Sequence, residues 1–111
     1  DPLTLPWVDV RTVAPLSPQL ESFGFLGAGE RAALTLALAL PGSVAIIDEL
    51  PARRVAARLG VKVTGTLNVI LLAKHLGHVP AVRPILDRLQ ELRFRVSTGL
   101  REHILTLAGE A

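Results

Sequence analysis

Cysteine is absent from this chain of 111 residues. Its absence excludes disulfide bonds and metal sites built on thiolates. The sequence also contains no Walker-type phosphate loop, no GxGxxG motif and no GxSxG motif. P-loop nucleotide binding, dinucleotide binding and catalysis by a serine nucleophile are therefore unsupported by any sequence signature.

Long apolar runs are also missing. The longest covers residues 32–40 with one threonine inside, about half of the roughly 20 residues that a membrane-spanning helix needs. No basic start followed by an apolar segment marks a secretory signal. We therefore expect no membrane partner and a cytoplasmic location. Because the chain begins with Asp1 and not with methionine, we expect it to be processed or to be a piece of a longer protein.

Charge is scarce and unevenly distributed. Half of the residues are hydrophobic and 20% are charged, which favours a packed domain over a disordered chain. Residues 1–49 carry two cations and six acids, a net charge of −4, whereas residues 50–103 carry ten cations and three acids, a net charge of +7. An acidic half followed by a basic half suits a site for cations beside a site for a polyanion, or simply solvated helix faces.

Apolar periodicity predicts helices that alternate with short strands. Glycine and proline mark the ends of most segments. Residues 14–23 are predicted to be a loop that enters a short helix. The continuously apolar strand at 43–47 is expected to be buried on both faces. The predicted helices cover residues 30–40, 51–59, 67–76, 84–93 and 99–108, and the predicted strands cover residues 7–13, 43–47, 61–64 and 93–97.

Three acids occupy positions where a parallel sheet places functional side chains. Asp48 and Glu49 follow the apolar strand, and ligand sites in parallel sheets lie at the carboxyl ends of strands. Glu30 opens a helix. Carboxylates are the usual protein ligands of Mg²⁺. The alternatives are structural, because Glu30 would also favour its helix dipole and Asp48 would also cap the helix that starts near Pro51.

Two further motifs are weaker. His75 and His78 have a spacing that could suggest zinc, but Gly77 between them is expected to end the helix. Thr64 and Thr66 flank a glycine just before a helix, where backbone amides can bind a phosphate or form an ordinary N-cap. The threonine motif allows a phosphate-binding module as a minor alternative.

The motifs GAGERAALTLAL and VAIIDELPARRVAARLGVKVTGTLNVILLAKHLGHVP occur in that order. Over residues 26–110 the chain resembles the PIN domain, specifically predicted nucleic-acid-binding PIN-like proteins of bacteria and archaea. The resemblance implies a three-layer α/β/α sandwich with a central parallel sheet. It also implies a cluster of acids that hold Mg²⁺ or Mn²⁺ for the hydrolysis of RNA.

Site residues follow from the resemblance. Glu30 matches the family's acid at a helix start, and either Asp48 or Glu49 matches the acid after the next strand. We favour Asp48 as the metal ligand because its side chain is shorter, with Glu49 as a second ligand or a water contact. The resemblance implies RNA as a partner, and many relatives are toxins with an antitoxin partner. The expected nucleic-acid-binding residues are Arg53, Arg54, Arg58, Thr64 and Thr66.

Part of the family pattern is missing. The family's first acid, at the end of a first strand, has no counterpart here, and Asn68 stands where this branch usually has glycine. We therefore expect a single PIN-like domain over residues 1–111, truncated at its N-terminus and inactive as a fragment. It comprises a loop-rich segment at 1–28 and an α/β core at 29–111. Another chain, or exchange within a dimer, would be the alternative source of the missing part.

A non-catalytic PIN-like module that binds RNA or a protein is the alternative function. In that case the acids would only stabilise helix starts. The helices after residue 66 have apolar faces that are expected to form a homodimer or an interface with an antitoxin.

Overall fold

The computed structural model describes residues 5–12 and 23–111. These residues form five α-helices and two β-strands. The chain divides into two compact units, Asp1–Val63 and Thr64–Ala111. In chain order the elements are α1 (Ala28–Ala39), β1 (Val44–Ile46), α2 (Leu50–Leu59), β2 (Lys62–Thr64), α3 (Thr66–His75), α4 (Arg83–Glu91) and α5 (Thr98–Leu107).

The first unit is built around a β-α-β arrangement. β1 and β2 pair as a small parallel sheet, and α2 connects them. Pro51 lies in the first turn of α2, where its missing N–H costs nothing. Gly60 ends the helix with a φ of 72°, a left-handed conformation that glycine adopts without strain.

The core of this unit is small and apolar. α2 contributes side chains from a single face, because helical positions three and four apart point the same way. α1 packs against β1. The buried residues are Leu26, Leu34, Ala45, Ile47, Ala52, Val55 and Ala56.

β1 differs from the expected strand buried on both faces. Its burial alternates, so that Ala45 is buried while Val44 and Ile46 are 54% and 57% exposed. Ala45 and Ile47 join the core cluster with the two helices. The prediction was wrong because a continuous apolar run does not show whether one face of a sheet or both will be covered.

The second unit is helical. α3, α4 and α5 bury Val82, Leu86, Ile104 and Leu105. Leu67, Ile70 and Leu71 of α3 pack against that cluster from one side of their helix. Ser97 is the N-cap of α5, and its hydroxyl oxygen accepts a hydrogen bond from the backbone N–H of Leu100 at 3.1 Å.

The predicted α/β class is confirmed as a helix-rich chain with a small parallel sheet. All five predicted helices are present with ends within two residues of expectation. The strand predicted at 7–13 is wrong over residues 7–12, where Trp7 lies in a turn with 79% of its surface exposed. Residue 13 and most of the predicted helical entry at 14–23 lie outside the described residues.

The strand predicted at 93–97 is also wrong. Arg93 takes a left-handed φ of 68° directly after α4, and Ser97 already caps α5. The helix boundaries therefore leave only a short extended link. Across residues 5–12 and 23–111, every helix is too short or too polar to cross a membrane.

Candidate functional site

Glu30 lies in the first turn of α1, and its carboxylate folds back over the start of that helix. Oε2 accepts a hydrogen bond from the backbone N–H of Gly27, the N-cap residue, at 3.3 Å. A Cβ on residue 27 would lie 3.2 Å from Oε1 of Glu30. The glycine therefore leaves room for the carboxylate, and the helix-stabilising role allowed for Glu30 is present.

Asp48 and Glu49 connect β1 to α2, and both are exposed. Glu49, rather than Asp48, occupies the N-cap position of α2, and its carbonyl oxygen accepts a hydrogen bond from the N–H of Arg53 at 3.0 Å. The Glu49 side chain makes no capping hydrogen bond. Both carboxylates thus lie at the carboxyl end of β1, the position expected for ligand-binding residues.

The three acids belong to the same unit. Within residues 5–12 and 23–111, however, no three histidine, aspartate or glutamate side chains lie close enough to share a metal ion. Glu30, Asp48 and Glu49 therefore do not form a three-carboxylate site by themselves. His75 and His78 lie at the end of α3 and in the following turn. Within the same described ranges, no third histidine or acid lies close enough to complete a metal site with them.

A shallow groove lies on the α2 side of the first unit. Arg54 and Arg58 are one helical turn apart, and together with Phe25, Pro51 and Val55 they line a space of about 160 Å³. Both arginines are exposed, whereas Arg53 is half-buried and does not line the groove. Two of the three arginines predicted to contact nucleic acid are thus brought together.

Phe25 was not identified from the sequence. Its side chain is 68% exposed, while Phe23, two residues earlier, packs against the core. The two rings are 5.9 Å apart between centroids and meet edge to face at 89°. The available signal was the short spacing of two aromatic residues around Gly24 in a chain with 4% aromatic residues.

Thr64 and Thr66 lie at the end of β2 and the start of α3. Both are half-buried, and Gly65 between them is a buried N-cap residue. Gly65 is therefore the N-cap residue of α3, without a side-chain capping hydrogen bond.

Glu110 is the centre of a polar cluster in the second unit, and sequence analysis did not single it out. Its carboxylate accepts hydrogen bonds from the N–H groups of Val82 at 2.7 Å and Arg83 at 3.1 Å, and it pairs with Lys74 at 2.9 Å. Lys74 also donates to the carbonyl oxygen of Ala108. These contacts lower the pKa of Glu110 from 4.5 to about 2, with the Val82 N–H as the largest cause and Lys74 as the next.

Comparison with known proteins agrees with the resemblance seen in the motifs. The family model DUF3368, described as a PIN domain, matches residues 1–110. The match begins at residue 1, whereas the motifs indicated residues 26–110. No curated protein and no solved structure matches the chain.

Proposed function

Because the chain belongs to the PIN-domain family, we propose that it is a divalent-metal-dependent ribonuclease of the PIN type. Glu30, Asp48 and Glu49 supply carboxylates for Mg²⁺ or Mn²⁺. The observation that supports this most is the exposure of Asp48 and Glu49 at the carboxyl end of β1, in the unit whose α1 carries Glu30.

Carboxylate oxygens match the ligand preference of Mg²⁺ in chemical type. The three acids do not complete a site among the described residues. We therefore assign them part of the ligand set, with the rest contributed by other residues of the protein or by a second chain. A bound metal would activate water and stabilise the charge that develops on the phosphate.

RNA is the proposed substrate. Arg54 and Arg58 are exposed on α2, the helix that begins directly after the two acids, and would hold the RNA backbone close to the cleaved bond. We assign Arg53 a supporting role because its side chain is half-buried. Thr64 and Thr66, at the start of the second unit, are proposed by themselves to bind a phosphate through their hydroxyls.

The test is cleavage of RNA by the full-length protein in the presence of Mg²⁺. Replacing Glu30 by Gln together with Asp48 by Asn is expected to abolish cleavage and to leave the circular dichroism spectrum unchanged. The matched control is Asp9→Asn with Glu91→Gln, which removes the same charge from two exposed surface ion pairs. Undiminished cleavage by the first variant would contradict the assignment.

A non-catalytic PIN-like module is the second candidate. It is supported by the hydrogen bond that already engages Glu30 and by the incomplete ligand set in the described ranges. It predicts no binding of Mn²⁺, measured by electron paramagnetic resonance, and unchanged RNA binding when Glu30 and Asp48 are replaced. Binding of Mn²⁺ that those replacements remove would exclude it.

A protein partner is proposed for the second unit. Val69, Leu72 and Leu76 lie on or directly after α3 with spacings of three and four residues, and each is exposed, by 38%, 55% and 59%. Such a row suits the packing of an antitoxin or of a second copy of the chain. Leu72→Glu is expected to abolish association with that partner in sedimentation velocity measurements. Unaltered association would exclude this face of α3 as the interface.

A further inference from the structure

We propose that Phe25 is a stacking platform for one unpaired nucleobase, and that Arg54 and Arg58 hold the phosphates beside that base. This inference rests on the proposed nucleic-acid function and adds to it a residue that contacts a base rather than the phosphate backbone.

The exposure of Phe25 is the first step of the argument. Leaving 68% of a phenylalanine side chain in water forfeits the stabilisation that burial would bring. The edge-to-face contact with Phe23 ties the exposed ring to a residue that packs on the core. The ring is therefore held in place, and a base that stacks on it would cover apolar surface without ordering a flexible side chain.

The two arginines are the second step. Residues four apart on a helix lie on the same face, about 6 Å apart along the axis. Arg54 and Arg58 therefore present two cations to the same groove that Phe25 lines. Aromatic rings together with cations along one groove are the arrangement by which proteins bind single strands.

The size and lining of the groove are the third step. Its volume of about 160 Å³ is below the roughly 300 Å³ at which typical small-molecule pockets begin. Among the residues that the structure describes, no acid lines the groove, and Pro51 and Val55, which also line it, are apolar. The groove thus suits a single flat ring with flanking anionic groups, and a base with its phosphates has this chemistry.

The experiment is the binding of a short fluorescein-labelled oligouridine, followed by fluorescence anisotropy in EDTA so that no metal-dependent cleavage occurs. Phe25→Leu keeps an apolar side chain but removes the aromatic face. It is expected to weaken binding by about tenfold, within the range known for loss of one base stack. Phe25→Trp, which keeps an aromatic face, is expected to bind about as well as the wild type. Trp7→Leu, a loss of another exposed aromatic residue in the same unit, is expected to leave binding unchanged.

The salt dependence separates the two roles. Each phosphate contact on a single strand contributes about 0.7 to the slope of log K against log salt concentration. Arg54→Gln with Arg58→Gln is therefore expected to reduce that slope by about 1.4, whereas Phe25→Leu leaves it unchanged. Lys62→Gln, at an exposed cation outside the groove, is the single-site charge control and is expected to leave the slope unchanged.

An abasic strand of the same length carries the phosphates without bases. The wild-type protein is expected to bind it about as weakly as Phe25→Leu binds oligouridine. Equal binding of the two strands by the wild type would overturn the proposal and indicate a general polyanion site, as would an unchanged affinity of Phe25→Leu. Binding as proposed without any Mg²⁺-dependent cleavage would leave this inference standing while the nuclease assignment fails.

Discussion

Asp48 and Glu49 in the first unit and Glu110 in the second unit have contrasting surroundings. In the first unit Asp48 and Glu49 are exposed at the end of β1. In the second unit the Glu110 side chain is only 14% exposed and binds Val82, Arg83 and Lys74. The side chains of Asp48 and Glu49 are therefore open to solvent, whereas the Glu110 carboxylate is held by contacts within its own helical unit.

The polar contacts differ in range as well. In the first unit Glu30, Thr35 and Ser43 form side-chain hydrogen bonds to residues no more than six positions away. In the second unit Glu110 reaches partners 27 to 36 positions away. Such long-range bonds link the end of the chain to α3 and to the start of α4, so we expect the second unit to depend on them for its stability.

The largest expected effect comes from the apolar core of the second unit. Leu86 has no exposed surface, and Leu86→Ala is expected to reduce the free energy of unfolding by about 2 to 5 kcal/mol because it removes buried contacts and leaves a cavity. The measurement is urea denaturation, with hydrogen exchange to assign the loss to α4. Leu92→Ala, at a side chain 61% exposed, is the matched control and should change little.

The next effect tests the Glu110 cluster through pH. Since its pKa falls from 4.5 to about 2 on folding, Glu110 contributes stability that is fully present above about pH 4.5 and is lost as the pH falls through about 2. Glu110→Gln should lower the stability of the second unit at neutral pH and remove this part of its acid dependence. Melting temperatures between pH 7 and pH 2 measure it.

The exposed Glu102, on α5 of the same unit, provides the control. Glu102→Gln should leave the acid-dependent loss of stability in place. If Glu110→Gln and wild type lost stability in parallel on acidification, the cluster would not be the source of the pH dependence.

A feature of this molecule can be predicted from the sequence when the residues that determine it lie close together along the chain. The helices were predictable because periodicity and stop signals such as Gly60 act within a few residues. The position of Asp48 and Glu49 after a strand was predictable for the same reason. Glu110 was not, because its partners are distant in sequence. Nor was the exposure of Phe25, because packing of the whole unit decides which of two neighbouring rings is buried.

A smaller effect is expected at the link between α4 and α5. Arg93 has a φ of 68°, which costs a residue with a Cβ about 1 kcal/mol or more. Arg93→Gly is therefore expected to stabilise the second unit by about 1 kcal/mol in urea denaturation. Arg95→Gly removes the same charge from the following extended link and should bring no gain. Equal effects of the two replacements would show that the loss of charge, and not the backbone conformation, causes the change in stability.

The smallest effect concerns the start of α1, where two glycines have different surroundings. A Cβ on Gly29 would meet nothing within 4 Å, whereas a Cβ on Gly27 would lie 3.2 Å from the Glu30 carboxylate. Gly29→Ala is therefore expected to stabilise the first unit by about 0.5 to 1 kcal/mol through helix propensity. Gly27→Ala is expected to cost about 0.5 kcal/mol, because glycine is preferred over alanine at an N-cap, and to displace the carboxylate.

Urea denaturation measures both replacements, and Mg²⁺-dependent RNA cleavage reports whether the carboxylate position matters for function. If Glu30 is a metal ligand, Gly27→Ala should reduce cleavage far more than its small effect on stability explains, while Gly29→Ala should leave cleavage intact. Parallel small changes in both variants would instead mean that Glu30 only stabilises α1, and that the first unit, like the second, uses this acid for its scaffold.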